Sequence, residues 1–409
     1  MKYLLIGNST AAIACIEAIR TVDRQGEITV LSKETQFCYG RPTISYCLAG
    51  LTDREHMNYR PADFYEKNNV SLHLGVSAES IDAEKKVVKA SDGKKYAYDK
   101  LLVSTGSRPF VPPAEGLDKV KNFFTFMSYD DMEALDKAIS PEKEVVVIGA
   151  GLIGLKCVEG IFDRVKKVTV VDLATRVMPS VTEEESAAMI QSFLEKKGVQ
   201  FVLGDCAASY SQNSVTLKSG KTLNFDILVM AAGVRANTSL IADIGGKVNR
   251  GIIVDTHQRT SIADIYAAGD CTEGYDSSIN AARVLALMPN AYLQGKAAGL
   301  NMAGGDSEYK DAIPLNAVGF FGLHMLSAGV YEGEVIKVKG DNTLKLLFVQ
   351  NDVLKGFILI NDFLRAGIYT SLVRGKTPLS GVDFDMLVNA PQLAAFPAEA
   401  RAAKLSRRV

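Results

Sequence analysis

The sequence predicts an α/β protein with parallel sheets, in which one strand–turn–helix unit occurs twice and a smaller α+β region follows. Three observations carry this reading. A strand-like run, Tyr3 to Ile6, opens into Gly7-Asn8-Ser9-Thr10-Ala11-Ala12, and a second, Val145 to Ile148, opens into Gly149-Ala150-Gly151-Leu152-Ile153-Gly154. Strand-like and helix-like segments alternate around both, as crossovers between parallel strands require. From about Pro314 the pattern changes to short β-rich runs.

Taken in order, the first turn leads into a helix over Ile13 to Arg20 and a strand over Ile28 to Leu31, which completes a βαβ unit. Pro109-Phe110-Val111-Pro112-Pro113 marks a crossing between domains. The second turn leads into a helix over Leu155 to Phe162 and a strand over Val168 to Val171, closed by Asp172. Further boundaries fall near Asn237 to Arg250 and at Gly304-Gly305. The last region carries strands at Leu344 to Phe348 and Gly356 to Ile360, then a helix from Leu364 to Arg374. At 409 residues the chain exceeds what one core supports, so two or three domains are expected.

Composition excludes several classes. Hydrophobic residues make up 47% and charged residues 23%, the balance of a globular protein rather than a disordered one. With 46 basic and 47 acidic residues there is no global field to attract nucleic acid or an anionic membrane. No apolar run approaches the roughly 18 residues of a membrane span, and Met1-Lys2-Tyr3-Leu4-Leu5 leads straight into a strand without a leader. A cytoplasmic location is therefore expected. The basic residues Arg401, Lys404, Arg407 and Arg408 read as a solvated tail.

The six cysteines are scattered without a C-x-x-C pair, so neither a zinc site nor an iron-sulfur cluster is encoded, and no metal is expected. Cys15 and Cys157 lie in apolar helices and read as core, whereas Cys38 and Cys47 are close enough in sequence to be weighed as a redox pair. His56, His73 and His257 read as surface or loop residues, and His324 as a packing residue.

The second turn carries explicit chemistry. Gly149 permits the tight turn, Gly151 lets backbone amides approach a pyrophosphate, and Gly154 lets the helix pack on the strand. The pyrophosphate then meets the first helical turn at Leu152 and Ile153. Asp172, about 20 residues on, is placed to accept from a ribose 2′-hydroxyl and to repel a 2′-phosphate, which favours NADH over NADPH; Arg176 is the residue that argues the other way. In the first turn Ser9 and Ala12 stand where the second and third glycines belong, and Glu34 follows as the ribose acid. Two such units imply two dinucleotides face to face, an arrangement suited to hydride transfer.

Two further motifs, Tyr98-Asp99-Lys100 through Thr105-Gly106-Ser107-Arg108-Pro109 and Ile265-Tyr266-Ala267-Ala268-Gly269-Asp270, resemble the connecting motifs of FAD- and NAD-dependent pyridine nucleotide oxidoreductases. Asp226 through Gly233 resembles that family's exit from its NAD domain. Tyr39 to Ser45, Pro289 to Gly295 and Asn361 to Thr370 are similar to the branch of nitrite-reductase flavoproteins and NADH:rubredoxin reductases. The run through Lys156 is also similar to flavoprotein subunits of carbon monoxide and aryl-glyoxylate dehydrogenases.

The resemblance implies an FAD domain at 1–115 and 244–310, interrupted by an NAD domain at 116–243 and followed by an α+β domain at 311–409. It implies that Gly7, Ser9, Ala12, Glu34, Arg41, Pro42, Thr105, Gly106, Arg108, Gly269 and Asp270 hold FAD, with Asp270 on its ribityl-pyrophosphate portion. Gly149, Gly151, Leu152, Ile153, Gly154, Asp172 and Gly233 would hold NAD.

The departures from the family narrow the function. Its disulfide reductases carry a C-x4-C pair on the first domain's helix, whereas Arg41 to Gly50 offers only Cys47; the single active cysteine of NADH oxidases and peroxidases would fall near Pro42 or Thr43. Lys156 replaces a glutamate and could stabilise an anionic reduced flavin, or simply snorkel to solvent. Lys156 and Arg41 are the expected catalytic residues. The expected activity is hydride transfer from NADH to FAD, then single electrons to an iron-sulfur partner docked against the C-terminal domain, or the same sequence in reverse, in an oligomer or complex. An NADH oxidase or peroxidase and a non-catalytic redox-sensing subunit are the alternatives.

Overall fold

Both Gly-rich turns sit where a buried parallel strand gives way to a helix. In the computed structural model, which describes residues 1–406, β1 (Lys2–Ile6) runs into α1 (Thr10–Val22) and returns as β2 (Glu27–Ser32). Arg407 and Arg408 lie outside the described residues. The chain continues through α2 (Ile44–Leu48), β3 (Val70–Leu74) and β4 (Lys100–Val103). A short strand, β5 (Ser107–Pro109), then leads to the second unit: β6 (Phe123–Thr125), α3 (Tyr129–Ala138), β7 (Glu144–Ile148), α4 (Leu152–Ile161), β8 (Lys167–Asp172), β9 (Gln200–Leu203) and β10 (Ile227–Met230). The strand β11 (Val234–Ala236) pairs antiparallel with β5, and β12 (Ile265–Ala267) and α5 (Met288–Met302) follow.

The two parallel five-stranded sheets have orders β12-β4-β1-β2-β3 and β9-β8-β7-β10-β6. Each Gly-rich turn leaves the central strand of its sheet, where the strand order reverses, the place at which open α/β sheets bind ligands. Ile6 pairs with Leu31 on one side and Val103 on the other, and Ile148 likewise with Val171 and Met230. Helices cover both faces of such sheets, so the strands are apolar throughout: Tyr3 to Ile6 are at most 4% exposed. The helices α1 and α5 pack closely because α5 offers glycines. A Cβ at Gly295 would lie 2.1 Å from Ala11 O, and one at Gly299 2.5 Å from Cys15 O.

One compact unit comprises Met1–Met178, Gln191–Tyr275 and Ala282–Lys310; the other comprises Pro179–Ile190, Asp276–Ala281 and the chain from Asp311 on. The second unit holds an antiparallel sheet of β13 (Leu315–Phe320), β14 (Leu323–Gly329), β15 (Glu334–Lys339), β16 (Leu344–Gln350) and β17 (Val353–Ile360), in the order β13-β14-β17-β16-β15. Its core joins Leu347, Phe357 and Leu359 to Tyr369 and Leu372 of α6 (Ala366–Gly375). The helix expected from Leu364 begins at Ala366, because Arg365 before it is left-handed, φ 57°. Among the described residues no helix is long and apolar enough to cross a membrane.

Asp264 ties β12 to its neighbours, with Oδ1 2.5 Å from Lys100 Nζ and Oδ2 2.6 Å from Lys86 Nζ. The Lys100 and Lys86 hydrogen bonds hold its carboxyl below the ordinary carboxylate value. Such a group stabilises the fold above its unfolded pKa, near 4, and that contribution disappears as pH falls through the lower folded value. Asp264→Asn is expected to destabilise the protein by about 1 kcal/mol at neutral pH and to flatten the acid limb of its stability profile. Urea titrations at pH 7 and pH 3 check both effects.

Candidate functional site

The fold itself accounts for two of the three glycines in the second turn. Gly149 has φ +118°, and a Cβ there would lie 2.2 Å from Ala231 O; a Cβ at Gly154 would lie 2.0 Å from Gly149 O. Gly151 has φ −77°, open to any residue, and nothing stands within 4 Å of its would-be Cβ. Its lack of a side chain leaves room that the protein does not fill.

Gly151 is also the N-cap of α4 and supplies no side-chain cap, whereas α3 begins with a complete capping box from Ser128 and Asp131. The first amides of α4, at the half-buried Leu152 and Ile153, have no intrahelical acceptor and face the end of the helix where an anion is favoured. Asp172 closes the site: its Oδ2 accepts from Ala150 N–H (2.6 Å) and its Oδ1 from Ala174 N–H (2.8 Å). Both oxygens keep lone pairs for hydroxyl donors. Arg176 is half-buried in the same loop. Gly233 has φ +112°, and its carbonyl accepts from Phe110 N–H (2.8 Å).

The first turn has the same construction. Gly7 has φ +103°, and a Cβ there would lie 2.2 Å from Ser104 O. Ser9 is the N-cap of α1 yet makes no side-chain cap, so this helix end is also left with free amides. Ala12 is fully buried. Beside the turn, Asn8 Oδ1 accepts from Tyr65 O–H (2.7 Å), while its Nδ2 is a buried donor with no partner.

Asp270 accepts from Ser107 Oγ (3.0 Å). Burial pushes its carboxyl above the ordinary range, opposed by the Ser107 hydrogen bond and the Arg41 charge. Gln294 Oε1 fixes the preceding residue by accepting from Gly269 N–H (2.8 Å). Thr105, Gly106 and Arg108 serve the β5–β11 crossing. Thr105 Oγ1 donates to Asn237 O (2.9 Å), Gly106 O accepts from Asn237 N–H (3.0 Å), and Arg108 Nη1 donates to Asn237 Oδ1 (3.1 Å).

Glu34 and Arg41 meet directly. Arg41 Nη2 pairs with Glu34 Oε1, Arg41 Nη1 donates to Met127 O (3.2 Å), and Tyr39 O–H donates to Glu34 Oε2 (2.7 Å). Tyr39 also accepts from Tyr129 N–H (2.9 Å). Burial raises the Tyr39 phenol well above its usual value and keeps it a donor. Pro42 lies in the 3-10 turn Arg41–Thr43, which leads into α2.

Lys156 does not snorkel. Its side chain is 14% exposed, paired with Glu159, and its ammonium lies 4.1 Å from the centre of the Tyr46 ring on α2. The snorkelling alternative is thereby corrected: the neighbouring α2 covers the lysine. All six cysteines are unbonded thiols. Burial pushes the Cys38 thiol up to about 12, and burial likewise raises Cys47, so neither is poised as a thiolate. His56 is exposed, His73 stacks edge-on to Tyr96, and His257 Nε2 lies 2.9 Å from Asp306; His324 is exposed, edge-on to Phe363.

The sequence did not single out Tyr39, Ser107, Gln294 or Tyr65 as site residues. Tyr39, Ser107 and Gln294 stand inside quoted motifs, which was their only local signal; Tyr65 had none, and the partners of Ser107, Gln294 and Tyr65 are remote in the chain.

The family model for pyridine nucleotide-disulphide oxidoreductases matches residues 1–295. The chain is 30% identical to the NADH-dependent phenylglyoxylate dehydrogenase subunit epsilon of Aromatoleum evansii, covering 93% of both chains. It is 33% identical to the assimilatory nitrate reductase electron transfer subunit of Bacillus subtilis, over 88% of this chain and 48% of that protein, so it spans about half of that relative. In fold it matches a covalent putidaredoxin reductase–putidaredoxin complex with TM-score 0.88 at 22% identity, covering 100% of this chain and 99% of the other.

Proposed function

The chain belongs to the pyridine nucleotide-disulphide oxidoreductase family, and we propose that it is an NADH oxidoreductase that uses FAD to split a hydride into single electrons for an iron-sulfur protein. The observation that carries this reading is a pairing. Two uncapped Gly-turn helices, each followed by a carboxylate, stand in one compact unit, while the segment that would hold a dithiol offers Cys47 alone. The domain limits at 1–115, 116–243, 244–310 and 311–409, a cytoplasmic setting and membership of a larger complex belong to the same proposal.

The residues fit both dinucleotides. The open space at Gly151 and the free amides of α4 suit the NAD pyrophosphate, with Asp172 on the ribose. The free amides of α1, the orphan donor of Asn8 and the half-buried carboxyl of Asp270 suit FAD. Glu34, Tyr39 and Arg41 would fix the loop beside its adenosine half, and Thr105 and Arg108 would act by pinning the crossing. When bound, FAD supplies the chemistry, accepting a hydride from NADH and releasing electrons singly. The protein's contribution is orientation and exclusion of water.

Lys156 is the residue proposed to tune the flavin. Its charge is balanced by Glu159, so Lys156→Glu would replace a neutral pair by two carboxylates. The flavin potential is expected to fall by on the order of 30 mV, a tenfold change for a two-electron couple. Spectroelectrochemistry measures this, and an unchanged potential would remove Lys156 from that role.

Anaerobic stopped-flow spectroscopy tests the function. NADH should bleach the flavin, and oxidised ferredoxin or rubredoxin should restore it much faster than oxygen does. Fast reoxidation by oxygen with none by either iron-sulfur protein would instead identify an NADH oxidase.

A further inference from the structure

The loop after β8 is fastened to the second Gly-rich turn at Ala150. Ala150 donates its N–H to Asp172 Oδ2 (2.6 Å) at the start of the loop, and its carbonyl accepts from Met178 N–H (2.8 Å) at the end. Within the loop, Ala174 N–H donates to Asp172 Oδ1 (2.8 Å) and Ala174 O accepts from Gly204 N–H (2.9 Å). The residue fixed from both ends is the middle of Gly149-Ala150-Gly151, next to the open space above Gly151.

Met178 makes this contact from an unfavourable backbone. Its φ is +47°, in the left-handed region where a Cβ meets the following carbonyl. A long side chain persists there only where its surroundings over-determine it. Here they do, because Met178 and its neighbour Val177 are both fully buried.

We infer that Met178 is a positioning residue for the nicotinamide nucleotide. Its buried side chain holds a left-handed turn whose N–H, through Ala150, keeps the pyrophosphate-binding turn and the ribose acid Asp172 in fixed relation. This rests on the NAD reading of that turn. In sequence Met178 is merely an apolar residue before Pro179.

The role implies an order of affinities that a space-filling residue would not show. Met178→Ala removes the burial that enforces the turn but keeps the left-handed penalty, so the loop relaxes. Met178→Gly also loses the burial, yet glycine enters the left-handed region freely. Calorimetric titration of FAD-loaded protein with NAD+ should show affinity reduced about tenfold for Met178→Ala and restored to within about threefold of wild type for Met178→Gly. Both variants should melt below wild type.

Equal affinities in the two variants, or weaker binding by glycine than by alanine, would overturn the proposal and leave Met178 a core filler. Failure of wild type to bind NAD+ would overturn the NAD reading and this proposal with it. Hydrogen exchange on wild type needs no variant: the Met178 amide should be protected without nucleotide and more protected with NAD+, and an unprotected amide would overturn the latch.

Discussion

Gly151→Val is expected to give a protein that folds and melts nearly as wild type does but binds NADH about a hundredfold more weakly, while Gly149→Ala is expected to damage the fold itself. The contrast follows from what each Cβ would meet. At Gly151 nothing stands within 4 Å and φ is ordinary, so the stability change is confined to the poorer N-cap, about 1 kcal/mol or less. The new side chain would occupy the space needed by the pyrophosphate, and a backbone–phosphate approach cannot relax around it. At Gly149 the Cβ would lie 2.2 Å from Ala231 O on a backbone with φ +118°, and roughly 3 kcal/mol or more of stability should be lost. Thermal melts and NAD+ titrations on both variants separate the two effects. Unchanged affinity in Gly151→Val would mean that the space above the turn is not where the nucleotide binds.

Arg41→Ala should cost the protein its flavin. Arg41 is the cation for Glu34, it donates to Met127 O, and its charge reaches Asp270. Without it the Glu34 carboxylate is left, among the described residues, with the Tyr39 hydrogen bond, and the loop that carries both loses one of its anchors. Breaking a fully buried pair costs about 3–5 kcal/mol; the Arg41 and Glu34 side chains are 36% and 25% exposed, so about 2 kcal/mol is the discounted expectation. That corresponds to FAD binding about thirtyfold weaker, read as flavin lost on gel filtration. Arg41→Lys should recover only part of it, since lysine keeps the charge but not the fork that reaches Glu34 and Met127 together.

What the sequence made legible was what a short stretch of chain decides. Glycine geometry is local, so the second turn and the strand and helix flanking it could be placed from their own residues, as could Asp172 at the end of β8. The first turn was less legible because Ser9 and Ala12 blur its signature, and its reading leaned on Asp270, far along the chain. Contacts between remote segments were not legible at all. Nothing near Lys156 announces that Tyr46 lies under its ammonium, nothing near Gly269 names Gln294 as its acceptor, and the left-handed Met178 resembles any apolar residue. The late start of α6 has the same origin: Arg365 fits a helical pattern, and only its backbone shows the break.

Electrons are expected to leave the flavin without passing through a thiol pair. Anaerobic titration of the FAD-loaded protein with NADH, followed at the flavin absorption band, tests it most directly, because a redox-active disulfide stores a second pair of electrons. Complete reduction at about one NADH per flavin, with the thiol titre unchanged, is the predicted result. An endpoint at about two NADH per flavin with new thiols appearing would contradict it.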